Sequence, residues 1–314
     1  MSGSGRLVDA RDAVRLGRRP GEDEAGKGPA DVNGPDLVAV ERPLVVDLDH
    51  GPAEGRTRTR LMSTLRTPGH DAELILGWCL AEGVIAAPSA IAAITGCGDA
   101  PDDGDVVRVT LHPDVAPDLE RARRLHAVSA ACGACGRTSF AAPAVNAAGP
   151  AKSADDAWSV DVLVGGSDRL REAQPGFRAT GGLHAAGWMT HDGALHHVRE
   201  DVGRHNALDK LIGALAAAAS DSPGQAAAES TAAAASLPPG LVVMSSRAGS
   251  ELVEKIIACD LPGLVTVGAV TDRAVDLAKS ASRILIGFSR SGRLTVYAGA
   301  HRVRDCGHGA TETP

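Results

Sequence analysis

The chain has 314 residues, of which 44% are hydrophobic, 2% are aromatic and 23% are charged. This length is enough for two compact units whose cores are built from aliphatic side chains and alanine. The formal net charge of −7 argues against a broad nucleic-acid-binding surface. No apolar run is long enough to cross a bilayer, and the basic N-terminus lacks the apolar stretch of a secretory signal. We therefore expect a cytoplasmic protein that does not contact the membrane.

The N-terminal part of the chain predicts a leader and a small domain. Residues 1–36 are rich in Gly, Asp, Glu, Arg and Pro without periodicity, which predicts a disordered leader. Residues 37–128 predict a small α+β domain, whose helix lies within 66–85 with Asp71 as its N-cap. Strands of this domain are predicted from residue 37 onward and at 56–64, 91–95 and 106–111.

The remaining chain, residues 129–302, predicts a larger domain in which strands alternate with helices of about ten residues, so the fold class is mixed α/β, α+β overall. An Ala-, Ser- and Pro-rich segment at 214–240 predicts a surface insertion, part of which extends the preceding helix. Residues 303–314 predict a flexible tail. Strands are predicted at 241–246, 263–270, 283–289 and, as an antiparallel edge, 293–299, with helices at 250–260 and 272–280.

Two cysteines in the sequence ACGACGRTS, residues 131–139, carry the strongest local chemistry. Cys132 and Cys135 are each followed by a glycine, which leaves room for a bulky sulfur partner. Arg137 supplies a positive charge that favours the thiolate, the form that attacks a persulfide. The other cysteines, at positions 79, 97, 259 and 306, are predicted to be buried small hydrophobic residues.

The cysteine pair by itself leaves several functions open. A structural zinc site needs four ligands, and Cys306-Gly-His308 is a poor second half, so no structural metal is expected. A thioredoxin-like oxidoreductase requires the pair after the first strand of a βαβ unit, which is not its predicted context. A zinc nucleoside deaminase is excluded because the chain contains no His-x-Glu and Ala131 replaces the required proline. Persulfide-mediated sulfur transfer, a glycine-rich turn with inert thiols, and a zinc-binding or thiol-redox protein therefore stay open.

Further polar residues cluster where predicted strands end and predicted helices begin. His184 follows a Thr-Gly-Gly turn, and His205 lies in a dense polar run at the start of an apolar-striped helix. Residues 246–247 occupy a strand-to-helix turn, where phosphate sites are common. In 288–293, two arginines suit a pyrophosphate and the phenylalanine suits a base, although the segment also fits a basic hairpin turn. The candidate binding residues are Phe288, Ser289, Arg290, Ser291, Gly292, Arg293, Ser246, Arg247, His184 and His205.

Six motifs, in this order, resemble the formate dehydrogenase accessory sulfurtransferase family, FdhD. They are TPGHDAELILGWCLAEGVI, CGACG, FRATGGLHAA, REDVGRHNALDK, SSRAGSELVEKI and GFSRSGRLTVY, within residues 44–301. The resemblance implies a cytoplasmic homodimer with a small N-terminal domain and a larger domain of cytidine-deaminase-like fold. Deaminase chemistry does not follow from such a fold when the His-x-Glu motif is absent.

The resemblance also implies a function. Members take sulfur from a cysteine desulfurase and pass it to the molybdenum bis(molybdopterin guanine dinucleotide) cofactor before its insertion into formate dehydrogenase. The family's persulfide cysteine matches Cys132, with Cys135 as its companion, and its cofactor-binding segment matches 288–293. We therefore expect a sulfur carrier with catalytic cysteines. The alternative is a chaperone that binds the cofactor for formate dehydrogenase without covalent sulfur chemistry.

Overall fold

The computed structural model describes residues 7–15, 32–100, 104–119, 157–220 and 238–304. Within these ranges, fourteen strands form four sheets, and six α-helices accompany them. The predicted mixed α/β class is confirmed at this level. The finer likeness to cytidine deaminases stays a prediction.

A strand pair lies in the segment for which the sequence predicts disorder. Strands β1 (Val8–Arg15) and β2 (Val32–Ala39) pair in antiparallel register, with Val8 opposite Ala39. The predicted disordered leader, 1–36, is therefore wrong for the residues of these two strands. The valines at positions 8, 14, 32 and 38 favour extended chain, a local preference that the average composition of the segment hides.

The N-terminal unit is a four-stranded sheet with one helix. Its elements are β3 (Arg42–His50), β4 (Thr57–Arg66), α1 (Asp71–Ala81), β5 (Ile91–Ala100) and β6 (Gly104–Leu111). The strand order is β4-β3-β6-β5, in which only β3 and β6 are parallel. Along β3, Leu44, Val46 and Leu48 alternate with less buried residues, so one face of the sheet enters the core. These strands and the helix confirm the predicted pattern.

The start of α1 differs from the prediction. His70 occupies the cap position with φ of 57°, and Asp71 is the first helical residue. The Asp71 carboxylate accepts hydrogen bonds from Nε and Nη2 of the buried Arg66, at 2.9 and 2.8 Å. The predicted N-cap role of Asp71 is wrong because this bidentate charged pair holds its carboxylate on the preceding strand.

The C-terminal unit is built on a six-stranded sheet. Its order is β13-β12-β11-β10-β8-β9, with β10, β11 and β12 parallel to one another and the remaining pairs antiparallel. The predicted strand–helix alternation and the antiparallel edge strand are confirmed. The elements are β7 (Trp158–Ser159), α2 (Val160–Glu172), α3 (Pro175–Thr180), β8 (His184–Thr190), β9 (Leu195–Asp201), α4 (Arg204–Ser220), β10 (Gly240–Met244), α5 (Ser250–Ala258), β11 (Gly263–Thr266), α6 (Asp272–Ser280), β12 (Ile284–Arg290), β13 (Arg293–Ala298) and β14 (Val303–Arg304).

Two predicted irregular segments are partly regular. Helix α4 continues to Ser220, so the first residues of the predicted insertion 214–240 are helical, as expected for alanine, and Gly240 begins β10. Residues 221–237 lie outside the described residues. Strand β14 pairs in parallel with β7, so the predicted flexible tail, 303–314, is wrong for Val303 and Arg304.

Helices α1 and α4 join the two units in one continuous hydrophobic core. Buried residues of α1, α4, α5 and both large sheets belong to a single cluster. The two helices cross at two glycines. A Cβ atom added to Gly77 would lie 1.8 Å from the backbone oxygen of Asp209, and one added to Gly213 would lie 1.9 Å from that of Glu73. The backbones therefore touch, and no larger side chain fits between them.

We expect Gly77→Ala to lower the free energy of unfolding by about 3 kcal/mol, because the two helices must separate to accept the methyl group. Urea denaturation would measure this loss. Gly96→Ala is the matched control, since a Cβ atom at Gly96 would meet nothing within 4 Å. Equal stability of the two variants would contradict the close crossing.

A buried ion pair also ties the units together. Lys210 Nζ lies 2.7 Å from Asp201 Oδ2, and both side chains are inaccessible to solvent. Thr67 follows β4 of the N-terminal unit, and its backbone N–H donates to Asp201 Oδ2 at 3.1 Å. The Thr67 carbonyl accepts a hydrogen bond from Lys210 Nζ at 2.8 Å. The two charged side chains of the C-terminal unit thus form hydrogen bonds with the backbone N–H and carbonyl groups of Thr67 in the N-terminal unit.

A second buried cation lies where α1, α4 and α5 meet. Lys255 Nζ is 2.6 Å from Glu82 Oε1 and 2.9 Å from Asp209 Oδ1. Burial raises the pKa of Asp209 to about 7, although Lys255 acts to lower it. Burial alone would lower the pKa of Lys255, but Asp209 and Glu82 raise it above its ordinary value. One ammonium therefore compensates two carboxylates that come from different units.

The predicted domain boundaries stay predictions.

Among the described helices, none has the length and hydropathy required to span a membrane.

Candidate functional site

A cavity of about 410 Å³ lies at the carboxyl ends of the three parallel strands. Ser245 and Val267 directly follow β10 and β11, Arg290 is the last residue of β12, and all three line the cavity. Open α/β sheets bind their ligands at this edge. The other walls include Ser167, Arg171, Gln174, Phe177, His184 and Ser291.

The charge of the lining favours an anion. Arg171 and Arg290 contribute two positive charges against the single carboxylate of Asp168. The Arg171 guanidinium lies 5.8 Å from the centroid of the Phe177 ring, so a cation and a flat apolar surface stand side by side. This combination suits a ligand that carries both phosphate and an aromatic ring.

Two polar atoms of the lining residues lack a hydrogen-bond partner in the described part of the chain. They are Ser167 Oγ and Gln174 Nε2, on residues only 4% and 2% exposed. An unsatisfied buried polar atom costs about 1–3 kcal/mol. Both residues line the cavity, so a small rotation of either side chain would let a polar occupant supply the missing partner.

Three of the predicted binding residues meet in this cavity. His184 begins β8, and Arg290 and Ser291 lie at the β12–β13 turn, far apart in sequence but on one lining. Burial lowers the pKa of His184, and the nearby Arg204 and His205 lower it further. The imidazole is therefore neutral near neutral pH and can either donate or accept a hydrogen bond.

Ser246 and Arg247 lie on the predicted strand-to-helix turn but do not line the cavity. Ser246 is 4% exposed, and its hydroxyl donates to the carbonyl of Arg247 at 3.1 Å. The start of α5 is also occupied: a Cβ atom added to Gly249 would lie 2.1 Å from Glu251 Oε2. The Glu251 carboxylate of the chain itself therefore lies at this helix N-terminus, and the predicted phosphate site at the turn stays a prediction.

His205 contacts that same carboxylate. Its Nε2 lies 3.3 Å from Glu251 Oε1 in poor hydrogen-bond geometry, and Arg204 Nη2 lies 3.1 Å from the same oxygen. Burial lowers the pKa of His205, so its ring is neutral and Arg204 provides the full positive charge. Burial alone would raise the pKa of Glu251, but His205, its own backbone N–H and Arg204 lower it to about 2. His205 is placed beside α5 and not in the cavity lining.

The segment 288–293 divides between cavity and core. Ser289 is fully buried, its hydroxyl donates to the Leu163 carbonyl of α2 at 3.0 Å, and its side chain does not line the cavity, so its binding role stays a prediction. Phe288 is half-buried with φ of 52° and is not in the lining. Gly292, with φ of 76°, and the exposed Arg293 form the hairpin turn outside the cavity. Only Arg290 and Ser291 of this segment reach the candidate site.

Sequence reasoning missed the wall that α2 and α3 build. Ser167, Arg171, Gln174 and Phe177 lie there, in a region for which no element was predicted. The available signal was Pro175, since proline is favoured as the first residue of a helix. That signal predicts a helix start but not that the residues around it line a cavity.

Cys132, Cys135 and the loop 131–139 lie outside the described residues. Cys79 and Cys259 are buried, as predicted, and burial raises the pKa of each thiol to about 12. Neither forms a thiolate at neutral pH, so neither competes for sulfur. Within the described ranges, no group of three or more His, Cys, Asp or Glu residues is arranged to hold a metal ion.

Residues 39–304 match the model of the FdhD/NarQ family. The chain is 39% identical to a protein of Anaeromyxobacter dehalogenans named sulfur carrier protein FdhD, over 85% of this chain and 88% of that protein. A Streptomyces coelicolor protein of the same name is 37% identical, over 95% of this chain and 96% of the relative. The fold is similar to the crystal structure of a candidate formate dehydrogenase accessory protein from Desulfotalea psychrophila, with 19% identity and a TM-score of 0.62 over 95% of this chain and 100% of that one.

Proposed function

Because this chain belongs to the FdhD/NarQ family, we propose that it is a sulfur carrier that serves formate dehydrogenase. The family predicted from the six motifs is confirmed. Relatives named as sulfur carriers align with nearly the whole chain, which supports the same role here. The donor is a cysteine desulfurase, and the acceptor is the molybdenum bis(molybdopterin guanine dinucleotide) cofactor. The protein acts in the cytoplasm as a homodimer and works as a sulfurtransferase.

The chemical step uses Cys132 as the nucleophile. Its thiolate attacks the outer sulfur of the desulfurase persulfide, a new S–S bond forms on Cys132, and the desulfurase cysteine leaves as a thiolate. No oxidant or reductant is consumed in this exchange. Delivery of this sulfur as sulfide to the cofactor would break the S–S bond on Cys132 and would need two electrons, which a second thiol can supply by forming a disulfide with Cys132. Cys135 either shares the carrier role or attacks the Cys132 sulfur, which would release hydrosulfide and leave a disulfide.

The cavity at the strand ends carries the cofactor part of the proposal. Its volume of about 410 Å³ suits one nucleotide end of the cofactor and not the whole of it. Arg290 and Arg171 would bind the phosphates, and His184 would donate a hydrogen bond. Phe177 takes the base-stacking role that the sequence assigned to Phe288, since only Phe177 lines the cavity.

We expect Arg290→Gln to weaken the binding of guanosine diphosphate (GDP), the nucleotide end of the cofactor, by about tenfold, the effect of losing one charge-assisted hydrogen bond. Isothermal titration calorimetry would measure it. Arg293→Gln is the matched control, because Arg293 is also an exposed arginine on the same hairpin but lies outside the lining. A similar loss in both variants would argue against the cavity as the binding site.

The sulfur-carrier role is tested by mass spectrometry. The purified protein would be incubated with a cysteine desulfurase and cysteine, and intact and peptide masses recorded before and after reductant. The proposal expects a reductant-labile gain of one sulfur on the peptide that contains 131–139. No gain with an active donor would favour the cofactor-binding chaperone instead.

A further inference from the structure

The short helix α3 forms one wall of the cavity but contains no capping side chain of its own. It has six residues, Pro175–Thr180, a length that is unstable in isolation. Pro175 at its start has no backbone N–H, and Gln174 at the cap position makes no side-chain capping bond. The N–H groups of Gly176 and Phe177 therefore need acceptors from elsewhere.

Glu200 of β9 supplies both acceptors. Its Oε2 accepts from the N–H of Gly176 at 2.9 Å, and its Oε1 accepts from the N–H of Phe177 at 2.8 Å. Glu200 is only 9% exposed, so these bonds are shielded from water. A carboxylate at a helix N-terminus is also favoured by the helix dipole, and bonds to a charged acceptor are stronger than neutral ones. Glu200 thus fixes the start of α3 from a distant strand.

The opposite end of α3 is held by a glycine turn. Gly181 has φ of 66°, and its N–H donates to the Phe177 carbonyl at 2.6 Å. The next residue, Gly182, packs against β2 so closely that an added Cβ atom would lie 3.2 Å from the Cβ of Ala39. One end of α3 thus packs against the strand pair β1-β2, and the other end is hydrogen-bonded to Glu200. The position of α3 therefore depends on that carboxylate.

We propose that Glu200 is a positioning residue for the ligand of the cavity, acting through α3. It sets the place of Gln174 and Phe177, the residues on either side of the helix start, which both line the cavity. Gln174 provides the unpartnered buried amide and Phe177 the aromatic surface. This inference rests on the proposed function, in which the cavity binds the nucleotide end of the cofactor.

The adjacent carboxylate, Asp201, serves another part of the fold. It binds Lys210 and the backbone of Thr67, and its Oδ1 accepts from the N–H of Gly203 at 2.9 Å, at the start of α4. Two consecutive acidic residues of β9 thus have separate tasks. Asp201 joins the two units of the protein, and Glu200 shapes the binding site.

The test is GDP binding by the full chain carrying Glu200→Gln. The amide keeps one acceptor oxygen but presents an NH2 group to the other backbone N–H, so one hydrogen bond is lost. We expect GDP affinity to fall by about tenfold, and hydrogen exchange at the amides of Gly176 and Phe177 to accelerate. Binding is measured well below the unfolding transition, so a loss of stability alone leaves the dissociation constant unchanged.

Two control variants distinguish the positioning of α3 by Glu200 from a general effect of a lost negative charge and from a general loss of folding stability. Glu172→Gln removes an exposed carboxylate close to α3 without touching its N-terminus. Thr271→Ala removes the side-chain cap of α6, whose Thr271 Oγ1 accepts from the Ala274 N–H at 3.4 Å, and Thr271 is not part of the cavity lining. Both variants should bind GDP as the wild type does. Glu200→Asp, which keeps the charge but is one methylene shorter, replaces Glu200→Gln if that variant does not fold, and an intermediate loss is expected.

The outcomes distinguish this inference from the proposed function. If the wild type binds GDP and the Glu200 variants bind it with unchanged affinity, the positioning role is overturned and the function stands. If the wild type does not bind GDP, the cavity's assignment to the cofactor falls, and the role of Glu200 falls with it. A selective loss of affinity in the Glu200 variants supports both.

Discussion

Cys132→Ala is expected to abolish sulfur delivery, with a loss of at least ~100-fold in the maturation of formate dehydrogenase, as is usual when a nucleophile is removed. The alanine has no sulfur to accept the persulfide, and the buried thiols cannot replace it. Burial raises the pKa of Cys79 and Cys259 to about 12, so the reactive thiolate is absent from both at neutral pH. The measurement is formate dehydrogenase activity after maturation, together with the sulfur mass on the peptide containing 131–139.

Cys135→Ala is the matched control for this prediction. It removes the neighbouring thiol and keeps Cys132, so it shows whether one cysteine suffices as the carrier. Full delivery by Cys132→Ala, with sulfur found on Cys135, would move the carrier role to the second cysteine.

The double substitution of Cys132 and Cys135 separates the carrier from a chaperone. A protein that only holds the cofactor would still support maturation without both thiols, but would fail when Arg290 is replaced. A sulfur carrier fails in both cases. Equal folding stability of the variants and the wild type, measured by urea denaturation, is the required control.

Lys255→Met is expected to lower the free energy of unfolding by about 3–5 kcal/mol, because it leaves two buried carboxylates without their cation. Methionine has a similar length and no charge, so the packing volume changes little. Glu82 and Asp209 would then face each other with side chains only 12% and 2% exposed. The measurement is urea denaturation, with Lys279→Met as control, since Lys279 is an exposed lysine at the end of α6 and its loss should cost less than about 0.5 kcal/mol.

The pH dependence of the Lys255→Met variant gives this prediction a second test. Without the ammonium, the pKa of Asp209, which is already raised to about 7 in the wild type, rises further, and the pKa of Glu82 rises with it, so the folded variant binds more protons than the unfolded chain. The stability of the variant therefore falls as the pH rises, and the destabilisation should be smaller at about pH 5.5 than at about pH 8. A loss independent of pH would indicate that packing, not charge, explains the cost.

The local pattern of the sequence was sufficient for most secondary structure. In 241–299, apolar runs of four to seven residues alternate with helical patterns, and the structure has strands and helices there within a few residues of the predicted bounds. The leader shows where this approach fails. Its average composition predicts disorder, but β1 and β2 pair with each other although residues 16–31 separate them in sequence, so a short sequence window does not contain both strands.

The candidate site was predicted only in part. His184 follows a pair of glycines, and Arg290 belongs to a segment with a second arginine, so the sequence alone indicated both as candidate binding residues. Phe288 and Ser289 belong to the same motif, but the course of β12 leaves Phe288 outside the lining and turns the Ser289 hydroxyl to α2. Which side chains of a strand end reach a cavity depends on the backbone angles there, and a one-dimensional motif does not contain them.

The sequence by itself determined the family, the cysteine pair, the alternation of strands and helices, and the arginines near the later strand end. Only the tertiary structure decided that Phe177 and not Phe288 lines the cavity, that Glu251 covers the start of α5, and that Glu200 caps α3. The physical reason is the range of the interactions. Secondary structure follows from residues a few positions apart. Each of these contacts depends instead on how the folded backbone positions and orients its side chains, which the local sequence pattern does not specify.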